Sequence, residues 1–318
     1  MGRALRGQLA RELVQILKRA GYRISECSGE ENYCLDLAAR RDEHTIFIKA
    51  VDNVDYFKRE CAEELRALAR TFSASPLIVG KRMQKGELEE SIAYERFGIP
   101  AVAPRTLYDA MLRGRYPLVY SKRGGLYVKV DGAALRRARE ELGLSLGELA
   151  EKVGVSRKAI YAYEKEDMEA TLQTAIRLEE SLQAPIASQI DIFDWRPLEG
   201  EQEYRRMPHG VLARKVFKKL SELGLKALGL RYAPFDIHVK EFRADILAEE
   251  TGKHLEKRVE TVCKLAELTG TEPVVVVESE RLQVNEVKIV SVEKITKVKN
   301  AEDLESIFEI DLKAAKEA

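Results

Sequence analysis

The sequence predicts two related α/β domains flanking a central, purely helical module. Three observations carry that expectation. A chain of 318 residues is too long for one hydrophobic core. Its opening helical pattern recurs two thirds of the way along. Between the two occurrences, the pattern changes to short helices joined by tight turns.

The recurrence is read from RGQLARELVQILKRAGYRI (6 to 24) against HGVLARKVFKKLSELGLKA (209 to 227), where Gly7, Leu9, Ala10, Arg11, Leu17 and Gly21 match Gly210, Leu212, Ala213, Arg214, Leu220 and Gly224 without a gap. The apolar spacing is helical in both, and Gly21 and Gly224 stand where a C-terminal cap belongs. Further on, Leu35-Asp36-Leu37 aligns with Phe235-Asp236-Ile237, Ile46-Phe47 with Ile246-Leu247, and SASPLIVG (73 to 80) with GTEPVVVV (270 to 277). Each copy then reads helix, three strands, helix, strand, and ends on a strand followed by an amphipathic helix.

The expected boundaries are 1 to 115 for the first α/β domain, 116 to 131 for a β-hairpin connector turning at Gly124-Gly125, and 132 to 190 for the helical module. A polar linker, 191 to 208, leads to the second α/β domain, 209 to 318.

In the helical module, Leu135, Ala138 and Leu142 make the apolar stripe of a first helix. Ser145 caps a second, with Glu148 three residues on as a capping box. Leu149 and Ala150 face inward, Gly154 permits a sharp turn, and Val155 plugs the angle between helices. Ser156 caps a third helix whose Ile160 and Tyr163 point to the core. Ser156, Arg157, Lys158, Tyr161, Ala162 and Lys165 are left for a DNA groove, where Arg and Lys reach guanine edges or phosphates. Lys122, Arg123 and Lys129 of the hairpin could add phosphate contacts or equally be an ordinary solvated edge.

Residues 133 to 182 resemble the Cro/cI phage-repressor type of helix-turn-helix domain, on Ala150, Gly154, Val155, Ile160 and Tyr163. Leu146 and Gly147 depart from that pattern, which commonly has Gln opening the second helix. The α/β domains, with Asp36 on one strand and Lys49 ending the next, resemble the PD-(D/E)xK nuclease fold. Their opening LARELVQILKRAGY is similar to archaeal Holliday junction resolvases. That resemblance implies a divalent metal held by a helix Glu and two strand carboxylates, with a Lys placing the attacking water. The first copy offers Glu12, Asp36 and Lys49 but has Phe47 at the second strand carboxylate. The second offers Asp236, with Lys215, Leu247 and Glu249 at the other places. The expectation is a degenerate site: no catalysis, no metal and no cofactor, with Glu12, Asp36 and Lys49 as remnants, or Asp36 and Lys49 as a buried pair.

The whole layout resembles archaeal proteins described as helix-turn-helix transcriptional regulators. It implies a regulator that binds double-stranded DNA in a sequence-specific way, as a homodimer with its two readers about 34 Å apart. A metal-dependent nuclease or a junction-binding protein is the alternative.

Composition sets outer limits. The formal net charge is zero, with 33% charged and 45% hydrophobic residues, so affinity for a polyanion must come from local placement. Residues 133 to 167 carry seven basic and seven acidic side chains. Cys27, Cys34, Cys61 and Cys263 lack metal-ligand spacing and read as reduced thiols. His44, His209, His238 and His254 are scattered, and Asp52 and Asp55 read as a solvated loop. With no apolar run long enough to span a bilayer, a cytoplasmic location without membrane contact is expected.

Overall fold

A computed structural model describes residues 2–27, 33–122, 124–197, 204, 206–248, 255–278 and 287–308, with the side chains of 2–6 left out. Arg123, Glu249 and His254 therefore lie outside the described residues. The elements are, in order, α1 (Gly2–Arg19), β1 (Arg23–Glu26), β2 (Leu37–Arg41), β3 (His44–Asn53), α2 (Arg59–Thr71), β4 (Ala74–Met83), β5 (Gly86–Glu87), β6 (Ile92–Arg96), β7 (Ile99–Val102) and α3 (Pro104–Arg113). There follow β8 (Val119–Lys122), β9 (Gly125–Val128), α4 (Gly132–Glu141), α5 (Leu146–Val153), α6 (Arg157–Glu164), β10 (Ala170–Thr171) and α7 (Leu172–Leu182). The last are α8 (Val211–Glu222), β11 (Ala227–Gly229), β12 (Ile237–Val239), β13 (Ala244–Ala248), α9 (Leu255–Thr269), β14 (Glu272–Val277), β15 (Lys288–Ser291), α10 (Val292–Lys297) and α11 (Ala301–Phe308).

Contacts divide the chain into two units, one of residues 1–20, 51–56 and 77–196, the other of 21–50, 57–76 and 197–318. The division falls inside β3 and β4.

In the first unit, β4, β7, β6, β8, β9 and β10 pair in that order, with β5 on β4. The β8–β9 hairpin, Val119↔Val128 to Lys122↔Gly125, is antiparallel, and β10 extends it through Ala170↔Val128. Residues 186–190 return alongside: Asp131 donates its N–H to the Ile186 carbonyl, Ser188 to Lys129 and Ile190 to Pro117. Val128 and Val130 of this sheet edge share one core with Leu135, Leu149, Ile160 and Leu178 of the helices. The helical module is thus built onto a sheet edge and is not a bead on a tether. Leu142, expected in the apolar stripe, is 52% exposed, because α4 stops at Glu141 and Leu142 is only its C-cap.

In the second unit, β1, β2 and β3 form an antiparallel meander. A separate five-stranded sheet runs β11-β12-β13-β14-β15, its last two pairings parallel. Leu212, Val216 and Leu220 of α8 cover that sheet together with Ile295, Leu304 and Phe308. Helical spacing is what turns these apolar side chains to one face. From the segment expected to be a polar linker, Tyr204 and Arg206 bond Glu64 and Glu63 of α2. In the first unit, Trp195 donates to the Gly98 carbonyl at 2.8 Å.

The strand register corrects the sequence alignment. Leu37 pairs with Ile48, and Ile237 with Ile246. The counterpart of Ile48 is therefore Ile246, two residues away from the alignment of Ile46-Phe47 with Ile246-Leu247. The cause is hairpin length: Ala39 pairs with Ile46, whereas Val239 pairs with Ala244, so the second hairpin is two residues shorter. Asp245, not Leu247, stands where Phe47 stands, and Leu247, not Glu249, stands opposite Asp236 as Lys49 stands opposite Asp36.

Candidate nucleic-acid interface and the Asp36–Lys49 pair

The reader is built from capped helices. Ser145 accepts from the Glu148 N–H at 3.2 Å while the Glu148 carboxylate accepts from the Ser145 N–H at 2.7 Å, closing the capping box. Gly154 ends α5 at φ +76°, in the left-handed region where a side chain is strained. Ser156 accepts from the Ala159 N–H at 3.1 Å and starts α6. Leu149, Ala150, Ile160 and Tyr163 are buried, and Val155 is partly buried against the same core.

That packing leaves Ser156, Arg157, Lys158, Tyr161 and Lys165 exposed, with Ala162 partly exposed. Lys165 Nζ lies 5.9 Å from the Tyr161 ring centroid. Two cations occupy the first turn of α6, and no acidic residue does. The helix dipole makes that turn favourable for anions and costly for cations. Arg157 and Lys158 therefore weaken their own helix slightly while adding charge and donors to an end that already attracts phosphate.

Sequence reading missed what holds α6 in place. Arg139 of α4 grips Glu164 through Nε at 2.5 Å and a second guanidinium nitrogen at 3.2 Å, and also donates to the Leu144 carbonyl at 2.8 Å. Both side chains are nearly buried. A Cβ on Gly132 would lie 2.4 Å from the Glu164 carbonyl oxygen, so only glycine lets α4 approach the end of α6 so closely. In the sequence, Arg139 and Glu164 are two charges among many on amphipathic helices. Among the hairpin cations, Lys122 is paired with Glu169 and Lys129 is exposed.

Of the residues expected as metal-site remnants, Asp36 and Lys49 meet each other and Glu12 stands apart. Asp36 is 1% exposed and accepts the Ala50 N–H at 2.9 Å. Lys49 Nζ lies 3.4 Å from its carboxylate and also donates to the Tyr33 carbonyl. Phe47, at the second ligand position, is buried and packs edge-on against Phe72 with centroids 5.8 Å apart. Glu12 is exposed on α1.

Around Asp236 the backbone pattern is the same and the side chains differ. Asp236 accepts the Ala248 N–H at 2.8 Å, with Arg258 at 3.6 Å as its cation. Asp245 is fully buried, 2.7 Å from His238 Nδ1, and accepts the Thr271 hydroxyl at 2.6 Å.

These residues do not fit a divalent-metal centre. Asp36, Asp236 and Asp245 each already have a cation or donor on them, and Mg²⁺ needs several oxygens at once. Among the described residues, no group of three His, Cys, Asp or Glu side chains is placed to hold a metal ion. Cys27, Cys34 and Cys61 are buried free thiols, and burial together with the Asp36 charge pushes the Cys27 thiol up to about 12. Asp52 and Asp55, expected in a solvated loop, pair with Arg82 at 2.5 Å and Arg96 at 2.7 Å.

Comparison with known families matches residues 6–117 to the PD-(D/E)XK superfamily domain and residues 135–188 to a helix-turn-helix domain. Relatives extend over nearly the whole chain. A "Putative HTH-type transcriptional regulatory protein" of Pyrococcus horikoshii is 39% identical over 306 residues, covering 94% of this chain and 96% of that one. One of Thermococcus kodakarensis is 38% identical over 316 residues, covering 98% of each. One of Archaeoglobus fulgidus is 32% identical over 303 residues, covering 94% and 96%. Among the described residues, no helix is long and apolar enough to cross a membrane.

Proposed function

The chain belongs to the family of these archaeal proteins, and from that premise we propose that it is a sequence-specific DNA-binding transcriptional regulator that turns over no substrate. The observation that carries this reading is α6. It is a short capped helix, locked from behind by Arg139–Glu164, that presents Ser156, Arg157, Lys158, Tyr161, Ala162 and Lys165 outward. Its N-terminal half enters the major groove, Arg157 and Lys158 contact base edges or phosphates, and Lys165 with Tyr161 contacts backbone.

One such module reads only a few base pairs, so the reader acts as a homodimer on two half-sites about 34 Å apart. The flanking domains, in the boundaries 1 to 115 and 209 to 318, are two copies of one ancestral unit. The shared bonding of Asp36 to Ala50 and Asp236 to Ala248 supports that. Each copy has lost a different half of the metal chemistry: the first keeps a lysine beside Phe47, the second an acid beside Leu247.

Footprinting on genomic fragments tests the reading. Protected sites are expected for the wild type and are lost on joint substitution Arg157→Ala and Lys158→Ala; unchanged footprints would refute it. The match to the PD-(D/E)XK superfamily favours one second reading, a nuclease or junction binder. Cleavage of supercoiled or four-way-junction DNA with Mg²⁺ or Mn²⁺, abolished by Asp36→Ala, would establish that reading instead.

A further inference from the structure

A cavity of about 710 Å³ opens in the second unit, between the end of α2, Tyr204, Arg206 and Met207, α8 and the start of β11. That volume falls within the range of small-molecule sites, roughly 300–1,000 Å³. Its lining is chemically one-sided. Arg70, Lys226 and Lys240 contribute cations beside Arg206, whose charge is paired with Glu63, and no carboxylate is among the described lining residues. Phe217, Leu225 and Met207 supply an apolar wall.

His238 also lines the cavity and is nine-tenths buried. Its Nδ1 is held by Asp245, which is itself held by Thr271. The ring is therefore fixed in orientation, with Nε2 as the nitrogen left to a ligand.

The wall formed by Tyr204, Arg206 and Met207 is anchored rather than loose. Tyr204 bonds Glu64 at 2.6 Å, Arg206 bonds Glu63 at 2.6 Å, and a Cβ on Gly229 would lie 2.5 Å from the Arg206 carbonyl. Concave shape, an apolar wall and several cations without a lining acid suit one ligand class. A polynucleotide backbone would be met by an exposed basic face, not by an apolar recess. We propose that this cavity binds a small amphipathic anion, a carboxylate or phosphate ester carrying an apolar group, with Lys226 and Lys240 at the anion and Phe217 and Leu225 against the apolar part. The proposal is independent of whether α6 reads DNA.

The full-length protein is titrated with 8-anilinonaphthalene-1-sulfonate as the probe, beside its uncharged analogue N-phenyl-1-naphthylamine. Saturable one-to-one binding of the anionic probe is expected, weakening as salt rises. The pair Lys226→Glu and Lys240→Glu should reduce its affinity tenfold or more while barely affecting the neutral analogue. Both lysines are exposed, so the fold should tolerate the change; the milder Lys226→Gln with Lys240→Gln gives the same direction if it does not. Absence of saturable binding, or equal affinity in wild type and variants, would overturn the proposal. So would displacement of the probe by a short duplex whose own affinity falls in parallel in the lysine variants, since the cations would then belong to a nucleic-acid surface.

Discussion

The Tyr204 hydroxyl donates to the Glu64 carboxylate at 2.6 Å, joining residues 140 positions apart. The same carboxylate accepts the backbone N–H groups of Arg231 at 2.9 Å and Tyr232 at 2.6 Å, and Glu64 is fully buried. Three donors converge on two oxygens, which is what makes a buried acid tolerable. An amide offers one acceptor oxygen and turns an NH₂ toward a donor. Glu64→Gln should therefore lower stability by about 1–3 kcal/mol. Tyr204→Phe should cost less, since both backbone donors keep their partner. Thermal unfolding of the two variants beside wild type checks the order.

Burial pushes the Glu64 carboxyl above its ordinary value of 4.5, against its hydrogen bonds from Tyr204, Arg231 and Tyr232. For a group raised on folding, the stabilising contribution is complete below the unfolded value and is lost as pH rises through the folded one. The melting temperature of wild type should fall relative to Glu64→Gln as pH increases from 4 through the range above 4.5. A constant gap between the two curves would contradict this.

Two glycines of the reader should respond in opposite ways. A Cβ on Gly147 meets only the Ser145 hydroxyl at 3.8 Å, so Gly147→Ala should stabilise α5 by up to ~1 kcal/mol. Gly132→Ala forces its methyl into the Glu164 carbonyl and should destabilise the module and displace α6. Circular dichroism melts and DNA affinity together distinguish the two.

Arg157 is exposed in the first turn of α6. Arg157→Ala should weaken binding to a selected duplex by about 1–3 kcal/mol and relax preference at one or two base positions, without lowering stability. Fluorescence anisotropy on matched and single-mismatch duplexes measures both effects.

Lys49 and Asp36 form a buried ion pair. Lys49→Met strands the carboxylate and should cost roughly 3–5 kcal/mol. Adding Asp36→Asn should recover part of that loss, a coupling that a double-mutant cycle reads directly.

Local chemistry is legible one residue at a time, and the reader is local chemistry. Ser145, Glu148, Gly154 and Ser156 announce caps and a turn within a dozen positions, and the buried or exposed fate of Ile160 and Tyr161 follows from helical spacing. The misplacement of Leu142 came at a helix end, where periodicity stops having meaning once the chain caps. Asp245 was hidden for another reason. A hairpin two residues shorter shifts every later position, and equal spacing in the sequence then aligned the wrong strand residues.

By itself, the sequence determined the run of helix, three strands, helix and strand from α1 to β4 and from α8 to β14, and the identity of the central module. Only the tertiary structure decided which charges meet. Arg139 with Glu164, His238 with Asp245 and Glu64 with Tyr204 lie 25, 7 and 140 positions apart. No propensity or period encodes such pairs. Each exists because packing removes water from a charged or polar group, and the group must then find its partner wherever the chain has folded back.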